Sequence, residues 1–167
     1  MKISIVSSAT LRRISALVVK ALKEKSATVA TAESCTGGLI AKSITDVAGS
    51  SAVFAGGMVT YTNRIKADVL GVNASIIEEH TEVSHACAKT MAERACKVFG
   101  TDYALSATGY AGPGGGTEKD PVGTVYIGIS TPNGARTERI CIENATRTQV
   151  RNTVAYYALK MLLDEMQ

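Results

Sequence analysis

At 167 residues, 46% hydrophobic and 20% charged, the chain is long enough to bury one sizeable core, and a net charge of +3 without a basic run gives no sign of a nucleic-acid groove. No apolar stretch approaches the ~20 residues that span a bilayer. The short apolar start, Met1–Ser8, precedes rather than follows the basic pair Arg12 and Arg13, the wrong order for a signal peptide, so the cytoplasm is the expected address.

Leu11, Ile14, Val18, Ala21 and Leu22 recur at helical spacing and predict a helix over about 10–25. Small and β-branched residues predict a strand over 28–32, broken by Ser34-Cys35-Thr36-Gly37-Gly38. A helix is expected over 39–47, a strand over 55–62, and a short helix capped by Asn63 and stopped by Gly71. The next helix, 84–99, places Val83, Cys87, Met91, Ala95 and Val98 on one side. A strand over 102–107 leads to a glycine-rich loop, Gly109 to Pro121. Strands over 123–131 and 135–142 flank the turn signal Pro132-Asn133-Gly134 and should pair as a hairpin. The chain closes with a helix over about 146–165. Early alternation and a late hairpin predict one α/β domain over 1–167: a three-layer α/β/α sandwich with a mixed, mostly parallel sheet.

In such a sheet, ligands bind where strands end and loops open. Three loops carry residue types suited to chemistry. The glycines of Ala32-Glu33-Ser34-Cys35-Thr36-Gly37-Gly38 allow backbone N–H groups to face a ligand, and the following helix start adds positive potential. Ser34 could be a nucleophile beside its own oxyanion donors, or Ser34 or Thr36 could simply cap the helix. Cys35 is a rival nucleophile if the helix start lowers its thiol pKa, and otherwise a small buried side chain. In Tyr61-Thr62-Asn63-Arg64-Ile65-Lys66, a lysine in the first turn and partly desolvated would have a depressed pKa suited to a general base; otherwise it is a surface lysine.

The third loop contains Thr108, Gly112, Gly114 and Gly115. It matches neither a phosphate-binding P-loop nor the dinucleotide fingerprint; its glycines bring backbone close to a ligand or a neighbouring subunit, or it is a flexible segment. Arg147 and Arg151, four apart at the start of the last helix, could clamp a phosphate or make surface ion pairs. Cys35, Cys87, Cys96 and Cys141 form no C-x-x-C pair, and His80 and His85 stand at no zinc spacing. Neither a disulfide framework nor a metal is expected.

The order and spacing of these strings, with Ala48-Gly49-Ser50-Ser51 and Pro121-Val122-Gly123-Thr124-Val125-Tyr126, resemble the CinA C-terminal domain family from about Leu17 onward. The resemblance implies hydrolysis of the carboxamide of nicotinamide mononucleotide (NMN), giving nicotinic acid mononucleotide and ammonia. It further implies no cofactor or obligatory metal, no nucleic-acid or membrane partner, and a homodimer or higher homo-oligomer. Residue by residue it assigns Ser34 as nucleophile, Lys66 and Tyr61 to proton handling, and the backbone N–H groups of the Ser34–Gly38 turn to the oxyanion, with Thr36, Gly37 and Gly38 on the substrate. Thr108, Gly112, Gly114 and Gly115 are assigned to the nucleotide, and Arg147 and Arg151 to its phosphate. The chain departs from the pattern at Tyr110, His85 and Ala145-Thr146, the last where relatives often have Gly-Asp before the arginine. It has no room for the N-terminal pyrophosphatase-associated domain of longer relatives. The alternative reading is a nucleotide-binding module of the same fold that has lost turnover.

Overall fold

A computed structural model describes residues 3–167; the first two residues of the apolar start at Met1–Ser8 lie outside the described part. Helix α1, Ser8–Glu24, begins at Ser7, whose side chain accepts from the Thr10 N–H, and buries Leu11, Ile14, Val18 and Leu22. Strand β1, Val29–Glu33, is buried at every position. Helix α2, Leu39–Thr45, leads to β2, Phe54–Val59. Next comes α3, Asn63–Ile65, which widens into a π-helical turn over Lys66–Leu70 and ends at Gly71 with φ 82°. Helices α4, Ala74–His80, and α5, His85–Phe99, precede β3, Tyr103–Gly109, and the pair β4, Thr124–Thr131, and β5, Gly134–Cys141. Helix α6, Arg147–Glu165, closes the chain.

The five strands lie in the order β2-β1-β3-β4-β5. β1 pairs parallel with β2 and β3, while β4 is antiparallel to both β3 and β5, so β4 alone runs against the rest. This is the expected mixed sheet in an α/β/α sandwich. Alternation along the strands sorts the layers. Val29 of β1, Leu105 and Ala107 of β3, and Val125, Ile127 and Ile129 of β4 join α1, α2 and α6 in the larger core. Ala30, Ala32 and Ala104 face Cys87, Met91 and Ala95 of α5. Small residues let α5 come close: the Ser106 hydroxyl donates to the Ala88 carbonyl at 2.6 Å, and a Cβ on Gly128 would lie 2.5 Å from that same oxygen.

Several expectations change in detail. Thr62, not Asn63, caps α3, its side chain accepting from Ile65 N–H. Val98 is 43% exposed; Phe99, four residues after Ala95, packs against the core instead, because a helix returns to one line after four residues rather than three here. Helix α4 has no counterpart in the sequence reading, since Ile76 and Ile77 are adjacent and no residue of the helix is fully buried.

Candidate active site

The C-terminal ends of β1, β2 and β3 open side by side. The chain leaves β1 through α2 on one face, whereas α5 covers the other face before β3, so a crevice forms where the two directions part. A cleft of about 430 Å³ lies there, lined by Ser34, Tyr61, Lys66, Thr108, Gly112 and Arg147 among others. A larger groove of about 610 Å³ follows the outer strand β5 and contains none of these residues.

Ser34 follows β1 directly. Its N–H donates to the Ala107 carbonyl of β3 at 2.9 Å, and the residue is 8% exposed. The turn then passes through Gly37 (φ 57°) and Gly38 (φ 91°), a left-handed pair that only glycine adopts without penalty. Neither Ser34 nor Thr36 caps α2. Gly38 occupies the cap position, and the buried Glu33 carboxylate accepts from the Ile40 and Ala41 N–H groups at 3.0 and 2.8 Å. A carboxylate at a helix start is favoured by the helix dipole, and here it frees Ser34 from capping. Thr36 lies fully buried behind Ser34, its hydroxyl without a partner among the described residues.

Lys66 is 1% exposed, which removes the surface-lysine reading. Its Nζ lies 3.1 Å from Ser34 Oγ and 2.9 Å from the Thr60 carbonyl oxygen. Burial lowers its pKa below the ordinary lysine value, against a smaller upward pull from neighbours that include Glu82. The depression therefore comes from desolvation rather than from a helix start, since Lys66 is the fourth residue after the Thr62 cap. As a neutral amine it can donate to Thr60 and accept the Ser34 hydroxyl proton at the same time.

Cys35 borders the same cleft, but burial pushes its thiol up to about 12, opposite to the effect expected of a helix start. At neutral pH it is a thiol, not a thiolate. Cys87 is likewise raised, to about 11, by burial.

Tyr61, 55% exposed, stands at the mouth, and its hydroxyl accepts from Arg147 Nη2 at 2.9 Å. Arg147 also donates to the Gly112 carbonyl at 2.7 Å, pinning the glycine loop to the start of α6. Thr146 caps that helix in a reciprocal box with Gln149, so Ala145-Thr146 keeps the arginine in place. Arg151 does not border the cleft: its guanidinium grips the Thr36 carbonyl from behind, at 2.7 and 3.2 Å. The Thr108 hydroxyl donates to the Glu82 carbonyl at 2.7 Å. Gly114 borders the cleft, whereas Gly115 packs beside Tyr110.

The loop is braced rather than slack. Tyr126 and Arg139 donate to the Asp120 carboxylate at 3.0 and 2.9 Å, and a Cβ on Gly116 (φ 86°) would meet the Val122 nitrogen at 2.8 Å. His85 lies outside the cleft, its ring edge-on to Tyr126 and its Nδ1 2.8 Å from Thr137 Oγ1. Two contributors were not visible as motifs. Glu33 is legible only as a neighbour of Ser34, and Glu82, the sole acidic residue bordering the cleft among the described residues, precedes a helix cap with no distinguishing pattern.

A protein from Myxococcus xanthus named CinA-like protein is 49% identical over 148 residues, which cover 88% of this chain and 35% of that protein. The chain thus spans about a third of the length of several curated relatives, 35% in each case. The nicotinamide-nucleotide amidohydrolase PncC of Escherichia coli is 47% identical over 153 residues, covering 91% of this chain and 92% of that protein. The crystal structure of the competence/damage inducible protein CihA from Agrobacterium tumefaciens superposes with a TM-score of 0.93 at 36% identity, covering 97% of this chain and 99% of that one. The model of the CinA C-terminal domain matches residues 11–166, and the chain belongs to that family.

Proposed function

We propose that this chain is an amidohydrolase that converts NMN to nicotinic acid mononucleotide and ammonia, with Ser34 as nucleophile and Lys66 as its base. The observation that carries the reading is the buried Lys66 Nζ 3.1 Å from Ser34 Oγ, held by the Thr60 carbonyl. The likeness to the Escherichia coli amidohydrolase over nearly its whole length supports the choice of substrate.

In this proposal Ser34 Oγ bonds to the carboxamide carbon while its proton passes to the Lys66 amine. The carbonyl electron pair moves onto the oxygen. Ser34 and Gly37 N–H groups already donate to the Ala107 and Ser34 carbonyls, and those of Ile40 and Ala41 donate to Glu33. The Cys35 amide is the donor assigned to the oxyanion, because of the turn residues after Ser34 it is the one that borders the cleft, while Thr36, Gly37 and Gly38 do not. Collapse breaks the C–N bond, and the nitrogen leaves as ammonia with the proton from Lys66. Water, deprotonated by Lys66, then cleaves the Ser34 ester and restores the hydroxyl. Because the Tyr61 hydroxyl is held by Arg147, this scheme passes the proton directly between Ser34 and Lys66 and places Tyr61 beside them at the mouth. Arg147 meets the phosphate, Thr108 and the Gly112–Gly114 edge position the nucleotide, and Arg151 and Gly115 act from behind.

Among the described residues no helix is long and apolar enough to cross a membrane. The reading includes a cytoplasmic homo-oligomer that acts on a free nucleotide. Incubation with NMN should release ammonia, and Ser34→Ala should abolish release. No release by the wild type, or undiminished release by the variant, overturns the proposal; saturable NMN binding without product would instead favour the silent nucleotide-binding module.

A further inference from the structure

The cleft contains a buried lysine at one end and Arg147 at its mouth, yet the ring to be bound on the proposed reading is itself a cation. In NMN the ring nitrogen is bonded to ribose and carries a fixed positive charge. If the carboxamide carbon is to reach Ser34 Oγ, the ring must lie within a few ångströms of Lys66, because Nζ and Oγ are 3.1 Å apart. The charge of Arg147, and of Lys66 whenever it is protonated, would repel it unless an anionic group compensates.

Glu82 is the one acidic residue bordering this cleft among the described residues. It is half-buried, and it makes no ion pair with any described lysine or arginine. The position is tied to the site through its backbone, since its carbonyl accepts from Thr108. Its charge is felt at Lys66 and at Tyr110, which both border the same space. The other nearby carboxylate, Glu33, is turned away and occupied by two helix N–H groups.

We propose that Glu82 is a specificity-determining residue that makes the cleft select a cationic pyridinium nucleotide over its uncharged-ring counterpart. The inference rests on the nicotinamide-nucleotide reading. Tyr110, an aromatic side chain beside Glu82 in the cleft, suits the same preference, because ring faces attract cations. The pyridinium in turn favours a neutral Lys66, so substrate charge and base activation act in one direction. Opposite unit charges several ångströms apart in a medium of effective dielectric about 20 favour association by more than tenfold, and partial exposure of Glu82 trims this to about tenfold.

The test compares NMN with its 1,4-dihydro form, which keeps the carboxamide, ribose and phosphate but has a neutral ring. Dissociation constants are measured by calorimetry on Ser34→Ala protein, which prevents turnover, alone and combined with Glu82→Gln or Glu82→Asp. Ser34→Ala should bind NMN about tenfold more tightly than the dihydro form. Glu82→Gln should reduce that ratio to within about twofold by weakening NMN alone, and Glu82→Asp should retain most of it. A merely structural role would weaken both ligands equally, and that result, or an unchanged ratio, overturns the assignment. Ammonia release by wild type with an unchanged ratio removes the Glu82 role only. No ammonia and no binding of either nucleotide overturns the reading of the site and this inference with it.

Discussion

Replacing Lys66 with methionine should separate activity from stability. The Nζ contacts with Ser34 and Thr60 disappear, which costs about 0.5–1.5 kcal/mol each in folding. Against this, the wild type has a buried amine whose pKa is depressed by desolvation. Because folding disfavours the protonated amine, this group destabilises the fold at any pH below the unfolded lysine value, pH 7 included. The penalty fades as pH rises toward the ordinary lysine value of 10.5. Methionine removes it and fills similar volume. Lys66→Met should therefore fold with a stability within about 2 kcal/mol of wild type at pH 7, where large core deletions commonly cost about 2–5 kcal/mol. Ammonia release should meanwhile fall by about 100- to 10,000-fold, the usual worth of a general base, or about 2.7–5.4 kcal/mol in the barrier. Urea denaturation at pH 7 and pH 10 with NMN turnover measures both effects. The wild type should gain on the variant between the two pH values. Turnover within tenfold of wild type, or a stability gap identical at pH 7 and pH 10, would falsify the assignment of a neutral, desolvated base.

Cys35→Ala should leave turnover within about threefold of wild type, since a thiol raised to about 12 supplies no thiolate at neutral pH; loss of activity without loss of fold would revive the thiol mechanism. Arg147→Ala removes a charge at the cleft mouth and should raise KM for NMN by about tenfold or more, the worth of one charge-assisted contact. Arg151→Ala loosens the turn behind Ser34 and should lower kcat more than it raises KM; equal effects of the two arginines would contradict their separate placements. Glu33→Gln can accept from only one of the two α2 N–H groups, so urea melts should show a loss of about 1–3 kcal/mol, and an unchanged midpoint would argue against the cap.

The sandwich was legible because its signals are local. Apolar spacing marks α1, α5 and α6, and Pro132-Asn133-Gly134 marks the hairpin of β4 and β5. Ser34 and Lys66 were recognisable as a pair only through the family pattern, because 32 residues separate them and their contact depends on β1 and α3 meeting at one sheet end. Residue chemistry alone could not distinguish a buried lysine from a surface one, since burial is decided by the π-helical turn and by α5 packing over it. Nor could it show that Cys35 is insulated: the helix start and the apolar surroundings act oppositely on a thiol, and only packing decides which wins. Glu33 and Arg151 hold the turn from two sides: Glu33 has no spacing signature, and the four-residue spacing of Arg147 and Arg151 does not reveal a reach to the Thr36 carbonyl.

That bracing explains how so unfavourable a turn can exist. A buried Thr36 hydroxyl with no partner among the described residues and a desolvated lysine, 32 residues on in the chain, both lie close to Ser34, in a turn made by two left-handed glycines. The unpartnered hydroxyl and the desolvated amine each oppose folding by roughly 1–3 kcal/mol or more, whereas the glycines take up the left-handed turn at no steric cost. Glu33 offsets part of this by satisfying α2, and Arg151 reaches from α6 to the Thr36 carbonyl. Both contacts leave the Ser34 hydroxyl uncommitted except to Lys66. A serine that capped its own helix would be more stable and already hydrogen-bonded, and it would have to break that bond before reacting. Handing the cap to Glu33 keeps the hydroxyl beside both the cleft and the amine, so on the proposed mechanism the turn exchanges local stability for a serine free to pass its proton to Lys66.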